Sequence, residues 1–127
     1  MKPVKALMLQ LLLPGLMQTL SRNTSRELPQ HIFEVGDVVW VDANAETGTR
    51  DLKKAAVTLA GPGVGFADMR SIMTSLLREL GSGLNVRPVS RPYYLDGRAA
   101  EILTPDGRPV GEIGEVHPRV LERFRLL

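Results

Sequence analysis

The sequence predicts an α+β domain in which a mostly antiparallel sheet is flanked by helices on one face. Two observations carry this prediction. Residues 97–116 contain two runs of β-forming residues around a Pro-Asp-Gly turn, which is typical of a β-hairpin. Residues 69–80 place apolar side chains at helical spacing, with polar side chains on the opposite face. Because 127 residues can enclose one hydrophobic core, we expect a single domain over residues 1–127.

The second strand of the hairpin, residues 110–116, carries Gly111 and Gly114 where a strand normally presents side chains. A glycine inside a strand indicates a bulge or the close approach of another backbone. We therefore expect the hairpin to pack closely against a neighbouring element. Pro118 suits the first turn of a short helix over residues 118–124.

The helix over residues 69–80 has clear end signals. Asp68 suits the first turn, where a carboxylate interacts favourably with the helix dipole. Gly81 suits the end, because glycine adopts the left-handed conformation that commonly closes a helix.

Four further strands are predicted between turn signals. Residues 31–41 favour two short strands around Gly36-Asp37, and residues 42–54 are typical of an exposed polar loop. Residues 55–60 and 84–89 supply the other two strands.

The first helix is predicted to begin near Leu11 or Leu12 and to end near Arg22, with Pro14 in its first turn. Its surface is apolar on nearly all sides, and a domain of this size has little room to enclose such a helix. We therefore expect part of it to contact another chain. The predicted interface residues are Leu12, Leu13, Leu16, Met17 and Leu20.

The apolar segment over residues 6–20, which follows Lys2 and Lys5, resembles the apolar run of a signal peptide. Gln10 and Pro14-Gly15 interrupt it, no cleavage signal follows, and it is too short to span a bilayer. We therefore expect a cytoplasmic protein.

The formal charge of +2 argues against a strongly basic nucleic-acid platform, and the absence of cysteine argues against a thiol nucleophile or a metal site.

The glycine run over residues 61–65 lies between a strand and a helix, where loops that bind phosphate occur. Phe66 stands where a dinucleotide fingerprint needs glycine, so a structural turn is favoured.

His31 and His117 have no recognisable catalytic partner. For His117 we favour a local hydrogen bond at a helix start.

Three carboxylates on or near the hairpin could suggest acid–base chemistry, but arginines nearby favour solvated ion pairs. The carboxylates are Glu101, Glu112 and Glu115, and the arginines are Arg98, Arg108 and Arg119. Arg98 is a candidate structural or partner contact, since a guanidinium beside Gly97 can clamp a carboxylate, a phosphate or carbonyl groups. Tyr93 and Tyr94 could stack on bases. For most of the aromatic residues, we favour core packing.

The order of segments carries a resemblance. The segments are Leu12-Leu13-Pro14-Gly15-Leu16, Asn23, Leu28-Pro29, residues 32–39, residues 97–102, residues 113–118 and residues 120–124. This order resembles the β subunit of phenylalanine–tRNA ligase in its archaeal and eukaryotic form, over nearly the whole chain.

The resemblance implies a class II synthetase-like domain that lacks the residues for activating ATP and the amino acid. Those residues belong to the α subunit, which pairs with the β subunit in an αβ heterodimer that doubles to a heterotetramer. The resemblance therefore implies no catalytic, cofactor or metal residues in this chain, with ATP and magnesium serving the parent complex. It implies the α subunit as partner, with tRNA bound through the complex, and it makes the first helix an interface helix.

Some residues depart from the family pattern. Leu9 and Leu11 stand where the family usually has arginine and serine, and the family's magnesium-binding acidic residues lie upstream of this region. The chain is therefore expected to be an excised fragment or a shortened relative.

The main alternative is a free-standing homo-oligomeric scaffold or regulator that buries the first helix against itself. An RNA-binding module and an enzyme built on the glycine run are less favoured.

Overall fold

The computed structural model describes residues 12–126, and the chain divides into two compact units between Pro62 and Gly63. All strand pairings in this range are antiparallel and helices accompany the strands, so the predicted α+β class is confirmed. The prediction of a single sheet is wrong, because the strands of each unit hydrogen-bond only within that unit. No helix in the described range is long and apolar enough to cross a membrane.

The first unit consists of helix α1 (Leu13–Arg22) and a long hairpin of β1 (Gln30–Val41) and β2 (Thr49–Ala60). Pro14 lies in the first turn of α1, as predicted. Leu9 and Leu11, which contribute to the predicted apolar start, lie outside the described residues.

The prediction of two short strands around Gly36-Asp37 is wrong. β1 is a single strand of 12 residues, and its register with β2 is unbroken from one end to the other. Gly36 stays in the strand because it continues the pairing with β2, opposite Lys54. The side chain of Leu12, just before α1, lies 3.4 Å from where a Cβ of Gly36 would stand, which is a close but ordinary contact.

The predicted polar loop over residues 42–54 is wrong from Thr49 onward, where β2 begins. The polar residues from Thr49 onward are compatible with a strand because most of their side chains are exposed to solvent rather than buried in the core. Lys53 stands opposite Asp37, and their charged atoms lie 3.8 Å apart in solvent. The true connection is a short turn in which the Asp42 amide donates to the Gly48 carbonyl.

Helix α1 packs on the hairpin and contributes most of the core of this unit. Leu16, Met17 and Leu20 are buried, and Val38 of β1 is completely enclosed. Leu12 and Leu13 are only half-buried. The contact between Leu12 and Gly36 places α1 on the face of β1 that carries the even-numbered residues.

The odd-numbered face of β1 exposes four apolar side chains, two on each side of the charged Asp37, which we call the apolar row: Phe33, Val35, Val39 and Val41. Their exposed fractions are 76%, 58%, 37% and 71%. Core packing is therefore a wrong prediction for Phe33, and also for Trp40, which is 48% exposed with the Lys54 ammonium 5.3 Å from its ring centre. A strand that is apolar on both faces needs a cover on both faces, and α1 covers one.

The second unit contains α2 (Phe66–Glu79), β3 (Asn85–Pro88), β4 (Tyr94–Leu103), β5 (Pro109–Val116) and α3 (Pro118–Arg123). The strands form one sheet in the order β3-β4-β5, and α2 packs against β5. The predicted hairpin is confirmed as β4 and β5.

Both ends of α2 follow the sequence signals. The Asp68 carboxylate accepts a hydrogen bond of 2.8 Å from the Gly65 amide, which completes the first turn. At the other end, Gly81 has φ +79°, its amide donates to the Arg78 carbonyl, and Ser82 donates to Leu77. These paired bonds close the helix in the manner that glycine favours.

The Tyr94 ring packs directly on Gly114 of the adjacent strand, although in the register Tyr94 stands opposite Val116 and Gly114 stands opposite Ala99. A Cβ built on Gly114 would lie 2.5 to 2.8 Å from three ring atoms. Between Tyr94 and Ala99 the register shifts, and Gly97 at this irregularity has φ +74°. The predicted close approach at Gly114 is therefore confirmed, although a side chain rather than a backbone approaches. The core of this unit comprises Tyr94, Ala99, Ala100, Ile102 and Ile113.

We expect Gly114→Ala to destabilise the chain by about 1–3 kcal/mol, because the new methyl group would displace a buried ring. Gly111→Ala is the matched control on the same strand. A Cβ there would lie 3.5 Å from Ile102, which is an ordinary contact. Urea unfolding of both variants measures the difference. Equal midpoints would show that the tyrosine can move without cost.

Candidate functional site

Five polar residues on one face of the second unit's sheet form the strongest candidate site, which we call the carboxylate cluster: Arg87, Arg91, Tyr93, Glu101 and Glu112. Glu101 lies opposite Arg87 on β3 and opposite Glu112 on β5. Strand register thus brings both carboxylates together at the middle of the sheet.

Arg91 bridges the two carboxylates. Its Nε donates to Glu112 Oε1 at 2.9 Å, and its Nη2 donates to Glu101 Oε1 at 3.1 Å. Arg87 donates to Glu101 Oε2 through both Nε and Nη2. The Tyr93 hydroxyl donates to Glu112 Oε2 at 2.9 Å. Each of the four carboxylate oxygens therefore accepts a hydrogen bond from within the cluster.

These contacts hold the groups in their ordinary charge states. Hydrogen bonding from Arg87 lowers the pKa of Glu101, whose side chain is only 14% exposed. The hydrogen bond to Glu112 raises the pKa of Arg91. Partial burial raises the pKa of Tyr93, and its bond to Glu112 adds to that effect.

The arrangement does not suit acid–base catalysis. A general acid needs a carboxyl whose pKa is raised, whereas Glu101 has a lowered one. Two guanidinium groups balance two carboxylates, and every carboxylate oxygen already has a donor. Arg87, Glu101 and Glu112 lie on three different strands, and Arg91 and Tyr93 lie in the segment that precedes β4. The cluster therefore links these strands and that segment by hydrogen bonds. The predicted ion pairs are present, although the side chains of Glu101 and Glu112 are only 14% and 27% exposed rather than fully solvated.

The partner arginines differ from those predicted for two of the three carboxylates. Arg87 and Arg91, rather than Arg108 and Arg119, pair with Glu101 and Glu112. Counting two-residue alternation outward from the Pro-Asp-Gly turn would place Glu101 opposite Gly111, and the register shift between Ile102 and Leu103 brings Glu112 opposite Glu101 instead. The position of Arg91 likewise follows from an irregular segment that periodicity does not describe.

Arg98 donates to Glu115 Oε2 at 2.8 Å, while Oε1 of the same carboxylate accepts the Phe66 amide at 3.2 Å. Glu115 thus connects β4 to the first turn of α2. Arg98 makes a structural contact and remains 60% exposed, so a partner contact stays a prediction.

The glycine run is a structural turn, as the sequence favours. Gly61 lies against Pro29, where a Cβ would stand 2.9 Å from two proline carbons. The amides of Gly65 and Phe66, which a phosphate-binding loop would offer to a ligand, donate instead to Asp68 and Glu115. The chain's own carboxylates occupy these donors.

Both histidines lie apart from the carboxylate cluster's hydrogen bonds. His117 Nδ1 accepts the Arg119 amide at 3.1 Å at the start of α3, so its predicted local hydrogen bond is confirmed. His31 is exposed on β1. Within residues 12–126, no group of three or more His, Asp or Glu side chains is arranged to hold a metal ion.

The predicted interface residues occupy two environments. Leu16, Met17 and Leu20 lie in the core of the first unit, whereas Leu12 and Leu13 are half-buried at the start of α1. The apolar row on β1 was not predicted as exposed surface. Alternation of Phe33, Val35, Val39 and Val41 along one face is visible in the sequence once β1 is read as one strand.

We expect the ion pairs of Glu101 to stabilise the chain at neutral pH and to fail in acid. The folded pKa of Glu101 lies below its ordinary value, so its contribution is present above about pH 4.3 and is lost as pH falls through the folded pKa. Glu101→Gln should therefore be less stable than the parent chain at pH 7, and the difference should shrink below about pH 4.

Thermal unfolding from pH 7 to pH 3 measures this difference. Glu79→Gln is the control, because Glu79 is exposed on α2 and makes no ion pair within residues 12–126. A stability gap that stays constant across this range would show that Glu101 does not titrate as described.

Tyr94 should be the residue that makes the chain sensitive to alkali. Burial raises its pKa to about 12, above the ordinary value near 10. The neutral ring therefore stabilises the fold below about pH 10, and this contribution is lost as pH rises toward 12. Tyr94→Phe keeps the ring and removes the hydroxyl, so its melting temperature should fall less steeply between pH 10 and 12. Parallel slopes for the two proteins would refute the assignment.

Comparison with known proteins agrees with this structure. The family model described as the phenylalanyl tRNA synthetase beta chain CLM domain matches residues 4–127. Among curated proteins, the phenylalanine–tRNA ligase β subunit of Methanopyrus kandleri is 44% identical over 116 residues, which cover 91% of this chain and 20% of that protein. The β subunit of Thermococcus sibiricus is 44% identical over 113 residues, covering 89% of this chain and 20% of that protein.

The β subunit of Methanocaldococcus jannaschii is 43% identical over 115 residues, covering 91% of this chain and 21% of that protein. The chain thus spans about a fifth of the length of the relatives it matches. The resemblance found in the order of segments is confirmed. The chain belongs to the family of the phenylalanyl-tRNA synthetase β-chain CLM domain.

Proposed function

We propose that this chain is a non-catalytic structural and assembly domain of a phenylalanine–tRNA ligase β subunit. In this role it supports the ATP-dependent charging of tRNA with phenylalanine by an αβ complex. A class II synthetase-like fold and a cytoplasmic location form part of the same proposal. The carrying observation is the apolar row, which leaves one face of a long hairpin without a cover among the described residues.

The state of the carboxylate cluster supports a non-catalytic role. ATP and magnesium need free carboxylates and free cationic groups, and in the cluster these groups bind one another. The carboxylate cluster therefore does not fit either ligand. In this proposal, ATP and magnesium bind elsewhere in the parent complex, and this domain contributes surface rather than reactive groups.

The α subunit is the proposed cover for the exposed apolar surface. A monomeric protein seldom exposes several large apolar side chains on one strand face, and such surfaces are typical of interfaces. Leu12 and Leu13 add a second accessible apolar site at the start of α1. The buried members of the predicted interface set, Leu16, Met17 and Leu20, contribute by holding α1 on the hairpin.

A charge placed in the apolar row should weaken association with the α subunit. We expect Val35→Glu to lower the affinity at least about 10-fold, because a carboxylate would be buried in an apolar contact. Val110→Glu is the matched control, since Val110 lies on a strand of the second unit and is 56% exposed against 58% for Val35. Co-purification and titration with the α subunit measure the affinities.

Leu13→Glu tests the second apolar site in the same assay. Leu16 and Leu20 are unsuitable for this purpose, because a charge at either buried position would unfold the unit whether or not an interface exists. If the parent chain binds no α subunit, and light scattering shows a stable homo-oligomer, the scaffold alternative replaces this proposal. If Val35→Glu, Leu13→Glu and Val110→Glu all bind unchanged, the interface assignment is wrong.

A further inference from the structure

Three exposed arginines lie on and just after α3, and we call them the arginine strip: Arg119, Arg123 and Arg125. Arg119 and Arg123 are four residues apart, which places them on one face of the helix. Val120, Leu121 and Phe124 are half-buried, so the apolar side of α3 and the arginine strip are separate surfaces.

The strip carries a local excess of positive charge. Its three arginines and Glu122 give residues 117–126 a formal charge of +2, which equals the net charge of the whole chain. The remaining charges therefore balance. Arg87, Arg91 and Arg98 pair with carboxylates, whereas the three arginines of the strip make no ion pair within residues 12–126.

Arg125 adopts a backbone conformation that an arginine seldom takes. Its φ is +58°, its amide donates to the Glu122 carbonyl at 3.0 Å, and Leu126 donates to Leu121 at 2.9 Å. Because this conformation disfavours a side chain, glycine is the usual residue at such a helix end.

The end of α2 supplies an internal comparison. Gly81 and Ser82 make the same pair of bonds there, to Arg78 and Leu77, and the residue with positive φ is glycine. At the end of α3, the residue with positive φ in the same geometry is Arg125, although this backbone conformation favours glycine. An unfavourable residue kept in an otherwise standard helix end points to a role outside the fold.

We propose that the arginine strip binds the phosphate backbone of the tRNA held by the αβ complex. This inference rests on the proposed function, which supplies an RNA as partner. Guanidinium groups match phosphate oxygens with two parallel donors, and groups not engaged in ion pairs are available for them. Three exposed arginines on one short segment suit contact with a backbone that another part of the complex positions.

The test compares two triple variants in the complex with the α subunit. The first is Arg119→Gln, Arg123→Gln and Arg125→Gln. The control is Arg70→Gln, Arg78→Gln and Arg108→Gln, which removes the same charge from exposed arginines of the same unit. Binding of phenylalanine tRNA is measured from low to high salt for both.

The strip variant should bind tRNA more weakly, and the slope of log affinity against log salt should fall by about one per lost phosphate contact. The control should retain the slope of the parent chain within about one. Equal slopes for both variants would overturn the inference. Weaker binding of the α subunit by the strip variant, with the tRNA slope unchanged, would make the strip a protein contact and overturn it as well.

Arg125→Gly separates binding from folding. Glycine suits φ +58°, so this change should raise the melting temperature by roughly 2–5 °C while it weakens tRNA binding. A variant that is more stable and binds tRNA as tightly as the parent chain would exclude Arg125 from the strip.

The parent chain distinguishes failure of the inference from failure of the proposed function. If it forms no complex with the α subunit, or if that complex binds no tRNA, the proposed function fails first. If the complex forms and binds tRNA, the two triple variants then decide the inference alone.

Discussion

The ring of Tyr94 rests on the backbone of Gly114, and the second unit is organised around this contact. The missing side chain of Gly114 leaves a space that the ring fills, so β4 and β5 approach closely at the end where β4 bends. The register irregularity before Ala99 follows from this bend, and Gly97 supplies the positive φ that it requires. Tyr93, next to the ring, is thereby directed onto Glu112, and its carbonyl accepts the His117 amide at the start of α3.

The sequence predicts those parts of the fold whose signals are local. The ends of α2 follow from Asp68 and Gly81, because a cap is decided within one turn of the helix. The hairpin of β4 and β5 follows from its turn, and the first helix from its apolar spacing. The predicted family is also confirmed, because it depends on the order of many segments rather than on any one residue.

The wrong predictions concern long-range contacts. Gly36-Asp37 reads as a turn in the sequence, but pairing with Lys54 and Lys53 of β2 keeps both residues in one strand. Polar residues after Thr49 read as a loop, but pairing with β1 makes them a strand. The carboxylate cluster was predictable as ion pairs, since carboxylates and arginines are abundant nearby. The choice of Arg87 and Arg91 depends on register and on an irregular segment, which single-residue patterns do not encode.

The hairpin of the first unit has a consequence for the behaviour of the chain when no other protein is present. Within the described residues β1 and β2 pair only with each other, so each presents an outer row of backbone donors and acceptors over 12 residues. A long edge of this kind is a template for adding strands, and β1 joins it to exposed apolar side chains. Four charged residues on β2 discourage such addition there (Arg50, Asp51, Lys53 and Lys54), whereas β1 carries only Glu34 and Asp37. The same edge that can order an assembly is therefore the part of the molecule most prone to aggregation.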